Sequence, residues 1–233
     1  MNEQFLRTAM LLGEEAIHGL QDKHVAVFGV GGVGSFCAEA LARAGVGTLT
    51  LIDDDIVSVS NINRQLIALH STVGQPKTEV MKARIADIHP QCRVNALHMR
   101  YEESNKEYFF LMGFNYIADC IDSVACKTSL IETAIHRNIP IISAMGTGNK
   151  LDPSKFIITD LAKTSGCPLA RVMRRELKQR GICNHTVLYS TEPALKPLFQ
   201  EPGAKVVPGS VSWVPSCAGL MIAGHIIQEL LRA

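Results

Sequence analysis

Four charged side chains could handle a polyphosphate: Asp53, Arg64, Lys77 and Asp122. They follow a glycine-rich run, Gly29-Val30-Gly31-Gly32-Val33-Gly34, in which bare backbone lets amides approach a phosphate. Asp53 stands where an acidic residue can hold ribose hydroxyls. The chain then continues through Asp54 and Asp55 to Asn61, Arg64 and Gln65. A nicotinamide site has no need of an acidic cluster followed by amide and guanidinium groups, whereas a site steering a triphosphate and a metal does. Arg64 and Lys77 bring cations to where negative charge builds during phosphoryl chemistry. Asp122 precedes Ser123 after an apolar run, so it either holds Mg²⁺ or caps the next helix. A strand-end cap is the alternative for Asp53, and ordinary surface charge the alternative for Arg64 and Lys77.

To gather these residues the chain must wind strands and helices alternately. Residues 25–28, 49–52, 92–99, 116–121 and 140–144 read as buried parallel strands. Helical spacing occupies 35–44, 77–88, 103–112 and 128–138, and Pro76 suits the first turn of the second of these. An amphipathic arm, residues 5–20, precedes the first strand and carries Arg7. The alternation predicts a doubly wound, Rossmann-like, mostly parallel α/β sheet with helices on both faces. The glycine run, Asp53 and Asp122 all fall at carboxyl ends of strands, so they converge on one crevice.

We read residues 1–233 as one domain: a nucleotide-binding core over 1–150 and a substrate-side extension over 151–233. In the extension, 156–161 and 186–190 read as strands that lengthen the sheet. Between them lies a basic helix with Arg171, Arg174, Arg175, Lys178 and Arg180. Residues 192–209 hold Pro193, Pro197, Pro202 and Pro208 and read as a mobile loop over the crevice. A helix over 216–232 closes the chain.

Apolar residues make up 47% of the 233, ample for a two-faced core. The formal net charge is +1, but Lys and Arg outnumber Asp and Glu only in the extension, which favours that side for an anionic partner. Seven cysteines, at 37, 92, 120, 126, 167, 183 and 217, form no C-x-x-C pair. That argues for free thiols in a reducing cytoplasm and against a structural zinc. Cys37 and Cys120 sit in apolar patterns as packing residues. His225, Gln228 and Glu229 interrupt the apolar stretch 217–231, which reads as a buried or interface helix; no membrane anchor is expected.

The segments GVGGVGS, LIDDDIVSVSNINRQ, VGQPKTEVMKARI and ADCIDSVACKTSLIE resemble the ThiF/MoeB/HesA superfamily, bacterial relatives of ubiquitin-activating enzymes that adenylate carboxylates. The resemblance implies ATP and Mg²⁺ as cofactors, with an alkali-metal ion as a further option. It places the nucleotide on Gly29, Gly31, Gly32, Gly34, Asp53, Asp55, Asn61, Arg64, Gln65 and Lys77. Catalytic roles fall to Arg7, Arg64, Lys77 and Asp122, with Asp122 organising the metal. The residue matching Arg7 reaches the neighbouring subunit's ATP, which implies a homodimer.

Within the superfamily, FLRTAMLLGEEAI, GTGNKLDPSKFIITDLAKTSGCPLARVMRRELKQRGI and GSVSWVPSCAGLMIAGHII are most similar to the branch that dehydrates threonylcarbamoyl-modified adenosine in tRNA. Cys167 departs from the acidic residue expected before Pro168. On this reading Arg171, Arg174, Arg175 and Lys178 face the tRNA, and a cysteine desulfurase system is a possible partner. Two other readings stay open: activation of a small sulfur-carrier protein, and a nucleotide-binding redox or sensor protein without adenylation.

Overall fold

The structure, a computed structural model, describes residues 3–199 and 208–232. After a short 3-10 turn come α1 (Leu6–Leu12), α2 (Glu14–Gln21), β1 (His24–Phe28), α3 (Gly34–Ala44) and β2 (Thr48–Ile52). Then follow α4 (Lys77–Ile88), β3 (Arg93–Leu97), α5 (Lys106–Phe110), β4 (Tyr116–Asp119), α6 (Val124–His136) and β5 (Ile141–Ala144). The remainder holds β6 (Phe156–Asp160), α7 (Pro168–Gln179), β7 (Thr186–Ser190) and α8 (Trp213–Arg232).

Among the described residues the seven strands form one sheet in the order β3-β2-β1-β4-β5-β7-β6. All neighbours are parallel except β6 and β7, which pair antiparallel. The chain winds outward from β1 to β3, then crosses back to place β4 on the other side of β1. That reversal opens a crevice at the carboxyl ends of β1 and β4.

Strand alternation divides the core. Val25 and Val27 of β1 face α3, α4 and α8 with Leu41, Met81, Ile222 and Ile226. Ala26 and Phe28 face the opposite layer, where Phe109, Leu130, Ile131 and Met173 pack from α5, α6 and α7. α8 has the length and composition of a membrane span, but it lies along α3, where the missing side chain of Gly219 lets it approach the Val33 carbonyl. It is a core helix of this fold.

Several boundaries differ from the sequence reading. The N-terminal arm breaks into α1 and α2 at Gly13, whose φ of 90° no helix continues. β4 stops at Asp119, three residues short of Asp122, and α6 starts at Val124, a full turn earlier than its apolar spacing indicates. Only 106–110 of the predicted 103–112 helix is α-helical, after a 3-10 turn over Glu103–Asn105. Of the proline-rich stretch, 200–207 with Pro202 lie outside the described residues; 192–199, 208 and 209 carry neither helix nor strand.

A polar chain crosses the interior at the end of β4. Lys127 and Asp119, both 0% exposed, form an ion pair at 2.7 Å. Asp119 also accepts from the Ser143 hydroxyl at 2.5 Å, and His185 Nε2 lies 2.7 Å from that hydroxyl. Burial, with a smaller contribution from Lys127, depresses the His185 pKa to about 3. The folded protein therefore keeps His185 neutral, while the unfolded chain protonates it below about pH 6.5. Between those values the unfolded state binds more protons, so this group's contribution is complete above pH 6.5 and is lost as pH falls. Replacing His185 with Gln should flatten the acid limb: in urea unfolding the parent should lose about 2 kcal/mol more than the variant between pH 7 and 5. Equal losses would contradict a buried neutral imidazole.

Candidate active site

A crevice of about 660 Å³ lies at the reversal point of the sheet. Of the residues singled out by sequence, Gly29, Gly31, Gly32, Asp53, Asp55, Asn61, Arg64, Gln65, Lys77 and Asp122 all line it. Gly34 does not: it begins α3 beneath the turn, where a Cβ would overlap the Gly29 carbonyl oxygen. Arg7 is exposed on α1, outside the crevice of its own chain. Arg171, Arg174, Arg175 and Lys178 also lie outside, on α7, although Leu169 in the first turn of that helix reaches the rim.

The floor is the turn from β1 into α3. Gly29 has φ 88°, and a Cβ there would come within 2.8 Å of the Cys120 carbonyl oxygen, so the two strand ends meet only because the residue is glycine. Asp53, directly after β2, accepts from the Val30 amide at 2.6 Å and the Asp55 amide at 2.8 Å. Burial raises its pKa, opposed by the charge of Lys77 and by both amides. Its carboxylate is thus held against the glycine turn with acceptor capacity left for ribose hydroxyls.

Lys77 opens α4 and is 4% exposed. A cation at a helix N-terminus faces the positive end of the dipole, so a buried lysine there needs anions. Asp55 supplies one, at 2.6 Å from Nζ. Arg64 bonds the Ser60 carbonyl and the Asn63 side-chain oxygen, both at 2.9 Å. Asn61 uses its side-chain oxygen on the Ser58 amide at 3.1 Å, leaving its NH₂ unengaged among the described residues. Gln65 is buried and its Oε1 has no hydrogen-bond partner among the described residues, an orphan that a ligand donor would satisfy.

Asp122 is exposed to the crevice and makes no hydrogen bond or ion pair among the described residues. Its carboxylate fits a hard cation sharing ligands with a phosphate. The carboxylates of Asp53, Asp54 and Asp55 lie within 4.8 Å of one another, but Asp53 and Asp55 are committed to amides and to Lys77.

Sequence reasoning passed over part of the site. Phe28, Ile52, Met99 and Tyr101 give one arm of the crevice an apolar wall, and Arg100 and Cys126 stand at its edge. By sequence alone Asp119 is one more residue of the strand over 116–121. In fact its carboxylate accepts from the Ile121 amide at 3.2 Å and anchors the turn that presents Asp122. A carboxylate inside the apolar run of β4, with Lys127 eight residues on, was the available signal.

The arrangement can bind a nucleoside triphosphate and neutralise charge along its phosphates. Comparison with known proteins agrees. The ThiF family model matches residues 5–233. The tRNA threonylcarbamoyladenosine dehydratase of Bacillus subtilis is 46% identical over 100% of this chain and 96% of its own. Crystal structures of the E. coli tRNA N6-threonylcarbamoyladenosine dehydratase in complex with AMP and with ATP superpose with TM-scores of 0.91 and 0.90. Their identities are 38% and 37%, and each match covers 99% of this chain and 94% of the other. The molybdopterin-synthase adenylyltransferase of Salmonella typhimurium is more distant, 37% identical over 56% of this chain and 51% of its own.

If Lys77 faces the outer phosphates, Lys77→Met should weaken ATP binding by roughly 30-fold and AMP binding by less than about 3-fold, since a charge-assisted contact contributes about 2 kcal/mol. Calorimetric titration with both nucleotides measures this, and equal losses would remove Lys77 from that role.

Proposed function

The chain belongs to the ThiF family, and from that premise we propose that it is an ATP-dependent tRNA threonylcarbamoyladenosine dehydratase. The observation that carries the reading is the convergence of the glycine turn, Asp53, Arg64, Lys77 and Asp122 on one crevice, in a chain that matches dehydratases along its whole length.

The modified adenosine presents a free threonine carboxylate. That carboxylate attacks the α-phosphate of ATP, pyrophosphate leaves, and a mixed anhydride with AMP forms. The carbamoyl part of the same side chain then attacks the activated carbonyl, closes a ring and releases AMP, so the elements of water leave with the nucleotide. Arg64 and Lys77 stabilise charge on the phosphates, and the turn amides hold them. Mg²⁺, held by Asp122, would supply further charge neutralisation. Ring closure joins two parts of one side chain and depends on positioning, with no need of a covalent enzyme intermediate.

The thiols suit that chemistry. Cys120 lines the crevice, yet burial, with the Asp119 charge beside it, pushes its pKa to about 12. It stays protonated at neutral pH and is a poor nucleophile. All seven cysteines are free thiols, in keeping with a cytoplasmic enzyme.

The tRNA binds along α7. Arg171, Arg175 and Lys178 are exposed there, whereas Arg174 turns back to bond the carbonyl of Thr164 at 2.9 Å. A second copy of the chain covers α1, where Met10 is 72% and Leu11 87% exposed, and Arg7 then reaches the partner's ATP. Partnership with a cysteine desulfurase system rests on the family resemblance alone.

The deciding experiment is mass spectrometry of nucleosides from threonylcarbamoylated tRNA after incubation with the protein. Loss of one water from the modified adenosine, dependent on ATP and abolished by Asp122→Ala, is expected; an intact nucleoside with ATP-binding protein would rule the substrate out. Neutralising Arg174, Arg175 and Lys178 together should weaken tRNA binding with little change for ATP. The salt slope should fall by roughly 2, since Arg174 is already engaged and each phosphate contact accounts for about 0.7–0.9. Unchanged tRNA affinity would move the RNA site elsewhere.

A further inference from the structure

The crevice has two arms, one on each side of the glycine turn. Over β2 lie Asp53, Ile52 and Tyr101; over β5 and beyond lie Thr147, Gly148, Pro208 and Ser210. The nucleoside belongs to the first arm, because there the Asp53 carboxylate stands ready for ribose hydroxyls. The carboxylate that attacks the α-phosphate must enter by the second. The wall of that arm comes from distant parts of the chain, and two asparagines hold it together.

Asn149, directly after the β5 loop, has φ 59°, in the left-handed region that asparagine tolerates better than most residues. In this conformation its backbone and side chain grip the same glycine: Asn149 N–H donates to the Gly209 carbonyl at 2.7 Å, and Asn149 Oδ1 accepts from the Gly209 amide at 2.6 Å. The Asn149 carbonyl accepts from the Leu195 amide at 2.8 Å. From the phosphate side, the Asn63 side chain donates to the Ser210 carbonyl at 2.9 Å, and its oxygen accepts from Arg64. Three backbone polar groups of Gly209-Ser210 are thus held by residues on opposite sides of the crevice.

We propose that Asn63 and Asn149 are positioning residues that pin Gly209-Ser210 as the acceptor-side wall, and that this wall recognises the carboxylate-bearing substrate and not ATP. Neither asparagine needs to touch the reacting atoms. Asn149 sets the width of the arm; Asn63 ties the wall to the guanidinium that serves the phosphates. The acceptor class rests on the dehydratase reading, whereas the latch itself does not.

Asn149 has two separable properties, and two substitutions divide them. Asn149→Gly keeps the left-handed backbone and removes the acceptor; Asn149→Asp keeps an acceptor and tolerates the backbone. With the full-length protein and threonylcarbamoylated tRNA, Asn149→Gly should raise KM for the tRNA by about 5- to 10-fold, the size of one lost hydrogen bond. The Kd for ATP should stay within about 2-fold of the parent, and Asn149→Asp should restore most of the KM. An equal loss of ATP affinity, or an unchanged KM beside normal parental turnover, would overturn the proposal and leave the dehydratase reading intact. If the parent itself releases no AMP with this tRNA, the dehydratase reading fails. The latch is then judged by amide hydrogen exchange at Gly209, which Asn149→Gly should accelerate; unchanged exchange overturns it.

Discussion

The ion pair between Lys127 and Asp119 sets the terms for everything built above it. Two charges fully withdrawn from water carry a desolvation cost that only saturated hydrogen bonding offsets. Asp119 meets that condition, accepting from Lys127, from Ser143 and from the Ile121 amide. The consequence is geometric. The end of β4 is tied to α6 by the lysine and to β5 by the serine, and through His185 to the segment leading into β7. The turn that carries Asp122 leaves from this fixed point. A loop held only by apolar packing could slide by a fraction of an ångström, which charge stabilisation in a phosphoryl site does not tolerate.

Above the ion pair, binding is done by backbone and charge. The glycine turn offers amides, Asp53 is locked to them, and Lys77 is buried beside the positive end of its own helix with Asp55 for company. Such a site is incomplete without an anion of the right length. It also explains why polar groups in the crevice are either braced by neighbours, like Arg64, or without a partner among the described residues, like Gln65 Oε1. The braced groups fix the shape, and the orphans mark where a ligand contributes.

Much of this was legible in the sequence where a local rule applied. The strand before the glycines, the glycines themselves, Asp53 after the second apolar run and Pro76 ahead of Lys77 each have a short-range cause; Phe28, Gly29, Gly31, Gly32 and Asp53 reach the crevice, whereas Val25, Ala26 and Val27 pack in the core, Gly34 works one layer below the crevice and Pro76 stands at the start of α4. What was not legible depends on contacts between distant segments. Nothing near Asp119 announces Ser143 or His185, because β4, β5 and β7 become neighbours only in the finished sheet. Arg174 reads as one more charge on a basic helix until the fold brings Thr164 beneath it. The amphipathic arm over 5–20 carries no sign of the break at Gly13, where the backbone turns between α1 and α2.

The one antiparallel strand has a consequence of a different kind. Among the described residues β6 pairs only with β7, at the edge of the sheet opposite β3. A strand with one neighbour can be lengthened, shortened or exchanged while disturbing a single ladder of hydrogen bonds. The chain between β6 and β7 is the basic helix, and the chain after β7 leads to the acceptor-side wall. Variation at this edge can therefore change what is brought to the nucleotide while the nucleotide's own cradle stays as it is.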